Sequence, residues 1–133
     1  MSANRILIDT SVWIDYLQEA STGIAGKVED MISNHIIFVP KIVIAELIQG
    51  ASSIKEISVI EDFTEAFNII DQADDTWVDA GRLSYNLKKK GKTVNLSDCY
   101  IASIAFQNNC HIFTLDKHFK DIQKILSINL INI

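Results

Sequence analysis

The fold is decided by the stretch Arg5-Ile6-Leu7-Ile8-Asp9-Thr10-Ser11-Val12-Trp13-Ile14-Asp15-Tyr16-Leu17. Ile6 to Ile8 form an apolar run that does not alternate with polar residues, which is typical of a strand covered on both faces in a parallel sheet. The run ends on the carboxylate of Asp9, and an amphipathic helical pattern follows directly. The carboxyl ends of strands are where ligands bind in open α/β sheets. Asp9 is therefore a candidate functional residue, although a carboxylate here also serves as a helix N-cap.

The composition predicts one globular, cytoplasmic domain over residues 1–133. Hydrophobic residues make up 48% of the chain and charged residues 22%, which suits a chain of this length that buries a core. The net charge of −5 disfavours a protein whose main task is to bind a phosphate backbone, but it allows an acidic metal site. We see no signal segment, and no apolar run is long enough to span a bilayer.

Strand and helix patterns alternate along the whole chain. Strands are predicted at 6–8, 36–39, 68–70, 112–115 and 128–131. Helices are predicted at 10–17, 24–32, 41–51, from Ser52 or Ser53 to about 67, from Asp74 or Asp75 to 90, and from Asn95 or Ser97 to about 107, with a break at Ser21-Thr22-Gly23 after the first helix. This alternation predicts a three-layer α/β domain with a mainly parallel sheet and right-handed crossovers.

Three more carboxylates occupy unusual positions. Glu46 lies in a helical pattern that is apolar nearly all round, with no cation at i±3 or i±4, so it either pairs with a distant cation or faces a cleft. Asp98 lies at a helix start, where it resembles a capping box with Asn95. Asp116 follows a predicted strand and precedes a helical turn, so N-capping is again an alternative.

Taken together, the four carboxylates predict a metal site. Asp9 and Asp116 follow the carboxyl ends of strands, and Asp98 opens a helix, which places it on the same edge of a parallel domain. Negative charges that meet there raise one another's pKa unless a cation neutralises them. Oxygen ligands of this kind suit Mg²⁺ or Mn²⁺.

Four segments resemble the signature segments of PIN domains: Ile8-Asp9-Thr10-Ser11-Val12-Trp13-Ile14, Ala45-Glu46-Leu47-Ile48-Gln49-Gly50, Ser97-Asp98-Cys99-Tyr100-Ile101-Ala102 and Thr114-Leu115-Asp116-Lys117-His118-Phe119. Among PIN domains, the chain is most similar to the VapC-type toxins of bacterial and archaeal toxin–antitoxin pairs. The resemblance covers essentially the whole chain. It implies a single PIN domain over residues 1–133 with a five-stranded parallel sheet between layers of helices.

The resemblance also implies a function, which is metal-dependent endoribonuclease activity. The family's catalytic and metal-binding carboxylates map onto Asp9, Glu46, Asp98 and Asp116. One or two Mg²⁺ or Mn²⁺ ions would bind there and activate a water, with Asp9 and Asp98 as first choices for direct ligands and Glu46 as a ligand or a base. The accompanying hydroxyls, which hold a water or a ligand carboxylate, map onto Thr10, Ser11, Ser97 and Thr114. The implied partners are an RNA substrate, a cognate antitoxin protein that blocks the cleft, and a second copy in a homodimer.

Other residue types give weaker indications. Cys99 and Cys110 lack CxxC spacing and are expected to be reduced thiols. The three histidines share no metal-ligand spacing and are interpreted as surface or strand-edge residues. Lys88-Lys89-Lys90 with Lys92 is the only basic cluster that we identify from the sequence, and it is either a solvated helix end or a contact for the RNA backbone.

Competing classes fit less well. Phosphatases of the haloacid-dehalogenase type need a second Asp two residues after the first, and that position is Ser11 here. Response-regulator receivers need an acidic pair near the first strand and a late lysine, and this pattern does not fit the chain. A catalytically silent PIN-fold binding or scaffold protein is the remaining alternative.

Overall fold

The structure is a computed structural model that describes residues 4–18 and 23–131. Of the predicted helix break at 21–23, residues 21 and 22 lie outside the described residues. Strands and helices within the described residues follow one another as β1 (Arg5–Ile8), α1 (Thr10–Leu17), α2 (Ile24–Asn34), β2 (Ile36–Pro40), α3 (Lys41–Gln49), α4 (Ile54–Thr64), β3 (Asn68–Ile70), α5 (Thr76–Lys89), α6 (Leu96–Gln107), β4 (His111–Phe113), α7 (His118–Gln123) and β5 (Asn129–Leu130).

The strands form one five-stranded sheet with the order β3-β2-β1-β4-β5, and every pairing is parallel. β1 lies at the centre, where Ile6 is opposite Ile37 of β2 and His111 of β4. Ile6, Leu7 and Ile8 are all buried, as expected for a strand covered on both faces. The predicted parallel α/β fold is confirmed.

The strand order places helices on both faces of the sheet. The chain runs outward from β1 to β3 through α1 to α4, and then returns from β3 to β4 through α5 and α6. Parallel crossovers are right-handed, so this reversal moves the connecting helices to the opposite face. The packing agrees, because α1 contacts α2 and α3, whereas α5 contacts α6 and both contact α7.

An aromatic cluster fixes α1 against the segment that ends α4. The ring of Trp13 lies 5.0 Å from that of Phe63 and 5.5 Å from that of Phe67, centroid to centroid. Trp13 is 1% exposed, so it packs in the core as expected. This packing holds the first turn of α1, which follows Asp9 directly, in a fixed position beside β1.

Helix caps explain where several elements begin. Ser53 caps α4 through a hydrogen bond that its hydroxyl accepts from the Glu56 N–H. Asn95 caps α6 in the same way, accepting from the Asp98 N–H. The sequence also predicts that Asp74 or Asp75 caps α5. The N-cap residue is Asp75, but its side chain makes no cap hydrogen bond, and the Thr76 hydroxyl accepts from the Ala73 N–H instead.

Several predicted ends differ from the structure by two or three residues, namely those of α2, α3, α4 and β4. α4 ends at Thr64 because residues 65–67 continue as turns with hydrogen bonds from Ala66 to Phe63 and from Phe67 to Thr64. β4 ends at Phe113, two residues earlier than expected. No helix in the described part of the chain is both long enough and apolar enough to cross a membrane.

Candidate active site

Four carboxylates approach one another at the edge where the strands end. Asp9 follows β1, and Asp116 follows β4. Glu46 lies in α3, the helix after β2, and Asp98 lies in the first turn of α6. The charges of the other three all raise the pKa of Asp98, so each of the other three predicted carboxylates lies within electrostatic reach of Asp98.

Asp9 is held by hydroxyl groups. It is 3% exposed, and its Oδ2 atom accepts hydrogen bonds of 2.8 Å from both Ser11 Oγ and Thr114 Oγ1. It occupies the N-cap position of α1, where its side chain makes no cap hydrogen bond of standard geometry, although the backbone N–H groups of Thr10 and Ser11 lie near enough to lower its pKa. Burial raises the pKa of Asp9, and the hydrogen bonds from Thr114 and Ser11 offset only part of that rise.

Glu46 is half-buried and paired with a neutral partner. Its Oε1 atom accepts a 2.9 Å hydrogen bond from Thr10 Oγ1. Among the ion pairs of the described residues, none includes Glu46, so the salt-bridge alternative finds no support. Burial raises the pKa of Glu46, and the charge of Asp9 adds to that effect.

Asp98 is the most constrained of the four carboxylates. Its backbone N–H donates to Asn95 Oδ1 over 2.8 Å, which fixes it at the start of α6. The residue is 7% exposed, and its Oδ2 atom is buried without a hydrogen-bond partner. Burial raises the pKa of Asp98 to about 8, and the nearby charge of Asp116 contributes next. A buried oxygen without a donor is costly, and a bound cation would remove that cost.

Asp116 is positioned by Thr114 and by its own turn. Its backbone N–H donates to Thr114 Oγ1 over 3.0 Å. Its Oδ1 atom accepts from the His118 N–H over 2.9 Å, so the carboxylate does bond to the start of α7, although the N-cap position itself is Lys117. The Thr114 hydroxyl therefore contacts both the carboxylate of Asp9 and the backbone N–H of Asp116.

His118 is a residue of this site that the sequence interpretation missed. Its Nδ1 atom lies 3.0 Å from Asp116 Oδ1. One possible ligand atom each from Asp98, Asp116 and His118 lie within 4.8 Å of one another. The spacing of two residues from Asp116 was visible in the sequence, but the approach to Asp98 depends on the packing of α7 against α6.

The predicted hydroxyl residues divide into two groups. Thr10, Ser11 and Thr114 bond to carboxylates of the site, and Ser11 Oγ also accepts from the Leu115 N–H over 3.0 Å. This last bond joins the end of β1 to the segment after β4. Ser97 differs, because its hydroxyl donates to Asn95 Oδ1 over 2.8 Å and so belongs to the helix cap.

The donor set fits a hard divalent cation. Among the described residues, Asp98, Asp116 and His118 are the group whose possible ligand atoms lie close enough to share an ion. Asp9 and Glu46 lie outside that group but within electrostatic reach of Asp98, and carboxylate oxygens suit Mg²⁺ and Mn²⁺. The raised pKa values of Asp9, Glu46 and Asp98 are the expected signature of carboxylates that lack a compensating positive charge. The buried Asp98 Oδ2 atom is an oxygen with no protein partner. The residues present are therefore suited to bind such an ion.

Comparison with known proteins agrees with the observed fold. The family model described as PIN domain matches residues 6–125. The protein named Ribonuclease VapC1 of Methanocaldococcus jannaschii is 29% identical over 122 residues, which cover 91% of this chain and 83% of that protein. The structure of VapBC-1 from nontypeable Haemophilus influenzae has a TM-score of 0.77 at 25% identity, covering 96% of this chain and 97% of that chain. VapBC2 from Rickettsia felis, bound to a promoter DNA fragment, has a TM-score of 0.79 at 24% identity, covering 97% and 98%.

Proposed function

The chain belongs to the PIN domain family, and from that premise we propose that it is a metal-dependent endoribonuclease, the toxin of a type II toxin–antitoxin pair. The observation that carries the proposal is the buried, unpartnered Asp98 Oδ2 atom among three further carboxylates. Such a site is unfavourable when empty and is suited to Mg²⁺ or Mn²⁺. The relatives named Ribonuclease VapC1 support RNA as the substrate.

The four carboxylates would have different roles at the metal site. Asp9 and Asp98 are the direct ligands, and Asp116 completes the set. When bound, a divalent ion lowers the pKa of water and stabilises charge on a phosphate oxygen. Glu46 is a further ligand or the base that accepts a proton from water, and burial raises its pKa above the ordinary value.

The surrounding polar groups orient these carboxylates. Thr114 and Ser11 both donate to Asp9 Oδ2, which fixes the plane of that carboxylate. Thr10 does the same for Glu46 through its 2.9 Å hydrogen bond. Because the empty site concentrates negative charge, it repels a phosphodiester, so RNA binding at the site depends on prior metal binding.

The test is cleavage of a panel of RNAs by the purified chain with Mg²⁺ or Mn²⁺ and with EDTA. Asp98→Asn is the site variant. Asp62→Asn is the matched control, because Asp62 is an exposed residue of α4 and its substitution makes the same change of charge. We expect metal-dependent cleavage by the wild type and the control, and its loss in Asp98→Asn.

Calorimetric titration with Mn²⁺ gives a second measurement that does not depend on activity. We expect binding by the wild type and Asp62→Asn and a loss of binding in Asp98→Asn. Equal cleavage by all three proteins would contradict the assignment and indicate a contaminating nuclease. A wild type that neither cleaves nor binds Mn²⁺ would favour the scaffold alternative.

The partners follow from the same proposal. The similar structures named VapBC support a cognate antitoxin that covers the cleft. A homodimer and a cytoplasmic location stay predictions from the family resemblance. Light scattering of the purified chain tests the homodimer, and a mass of one chain, about 14.9 kDa, would contradict it.

A further inference from the structure

A groove with a volume of about 920 Å³ begins at the candidate active site. Thr114 and Asp116 line one end of it, and both belong to the hydrogen-bonded site described above. Leu130 and Ile131, at the end of the edge strand β5, line it as well. The groove therefore leads from the carboxylates along α7 toward the edge of the sheet.

The charged residues of this groove are mostly basic. Lys117, Lys120 and Lys124 line it, and Asp116 is the one carboxylate among its lining residues. This is the opposite of the whole chain, whose net charge is −5. Lys120 lies within α7, and Lys117 and Lys124 are its N-cap and C-cap residues, both with helical backbone angles. We call these three residues the α7 lysines.

The spacing of the α7 lysines suits an extended polyanion. Positions i, i+3 and i+7 share one face of a helix. At a rise of about 1.5 Å per residue they span about 10 Å, a distance over which a single RNA strand presents more than one phosphate. Lys124 lies 3.8 Å from Asp121 but is 73% exposed, and such surface pairs hold a lysine only weakly.

We propose that this groove binds the RNA strand on one side of the cleaved bond, and that the α7 lysines contact its phosphates. The proposal rests on the proposed ribonuclease function, since a chain with its scissile phosphate at Asp116 must continue away from the site. The groove is a path that starts there and carries positive charge. It also explains how a chain of net charge −5 attracts a polyanion, because phosphate affinity depends on local lysines.

The test is binding of a fluorescent RNA with Ca²⁺ in place of Mg²⁺, under conditions in which a gel shows that the RNA stays intact, followed by anisotropy over a range of KCl concentrations. The groove variant is Lys120→Gln with Lys124→Gln. The matched control is Lys27→Gln with Lys55→Gln, two exposed lysines on α2 and α4, which makes the same change of charge. Lys88→Gln with Lys89→Gln tests the basic cluster at the end of α5.

The groove variant should bind about tenfold more weakly at 0.15 M KCl, and its log–log salt slope should fall by about 1.4, or about 0.7 for each lost phosphate contact. The control should match the wild type. Equal affinity of the groove variant and its control overturns the proposal, as does a loss confined to the Lys88 and Lys89 variant. Thermal unfolding of each variant shows that a change in affinity is not a loss of fold.

Two further outcomes keep this proposal distinct from the ribonuclease function. A wild type that does not bind the RNA overturns the groove, whatever the cleavage assay shows. Cleavage by the wild type together with unchanged binding by the groove variant overturns the groove and leaves the ribonuclease intact. A hexaglutamate peptide that competes as well as an RNA of equal charge would overturn the assignment to RNA and indicate an acidic protein segment as the occupant.

Discussion

Thr114 Oγ1 donates a 2.8 Å hydrogen bond to Asp9 Oδ2 across 105 residues of chain. The contact forms because β1 and β4 are neighbours in the sheet, so both residues follow the ends of adjacent strands. The Thr114 Oγ1 atom also accepts a hydrogen bond from the Asp116 N–H. One threonine thereby sets the relative position of two candidate metal ligands.

Replacing Thr114 with valine should weaken the site without unfolding the protein. Val has a similar shape but cannot donate to Asp9 or accept from Asp116. Loss of such a supporting group reduces metal affinity or activity about 10- to 100-fold. Mn²⁺ titration and RNA cleavage measure both effects. Thr114→Ser, which keeps the hydroxyl, should stay near wild type, and a Val variant with wild-type affinity would refute the role.

Metal affinity should rise with pH. Burial and neighbouring charges raise the pKa of Asp98 to about 8 in the metal-free protein, so below that pH binding must displace a proton. The apparent Mn²⁺ affinity should increase from pH 6 toward pH 8 and then level off. Calorimetry in buffers of different ionisation enthalpy should detect the released proton. An affinity that is flat over this range would argue against Asp98 as a ligand.

Asp98→Asn should stabilise the metal-free protein at high pH. A carboxyl whose folded pKa lies above its unfolded value contributes stability below the unfolded pKa, and this contribution is lost as pH rises through the folded pKa. Near pH 4, close to the ordinary carboxyl pKa of 3.8, the unfolded chain still binds much of this proton, so the Tm values should differ least, and the difference should grow as the pH rises toward 8. At pH 8.5 the variant should melt at least about 3 °C higher, the shift that about 1 kcal/mol gives in a domain of this size. A difference that does not change with pH would contradict this.

Substitutions of Glu46 and Thr10 should lower RNA cleavage to different degrees. Glu46→Gln removes the candidate base or ligand and should lower cleavage by at least about 100-fold. Thr10→Val removes only the 2.9 Å hydrogen bond to Glu46 and should lower it about tenfold. A Mn²⁺ titration of Glu46→Gln separates the two roles. Loss of a base leaves the Mn²⁺ affinity unchanged, whereas loss of a ligand lowers it. Full activity in Glu46→Gln would exclude both.

The sequence predicted most of the fold because its signals were local. The apolar run before Asp9 indicated the central strand, and α1 occupies the predicted residues 10–17. The end of β4 was harder to predict, because it depends on distant contacts. Thr114 turns its side chain toward Asp9, and the Leu115 N–H donates to Ser11 Oγ. The pattern of apolar residues alone extended the strand through Leu115.

The sequence predicted the four carboxylates of the site but not the residues that surround them. Asp9, Glu46, Asp98 and Asp116 stood out because a carboxylate at a strand end or on an apolar helix needs an explanation. His118 and the α7 lysines did not stand out in the sequence, because their surroundings depend on how α7 packs against α6 and β5. The lysines were also spread over a segment that the sequence indicated only as a short turn, so their shared face was not apparent.

The central position of β1 has a consequence during translation. β1 is made first, but its neighbour β4 and the residues Thr114 and Asp116 emerge from the ribosome near the end of the described chain. A nascent polypeptide that has reached Glu46 carries two carboxylates and none of the support that β4 brings. The proposed nuclease therefore cannot assemble its site until residues 111–116 have been synthesised and β4 can pair with β1.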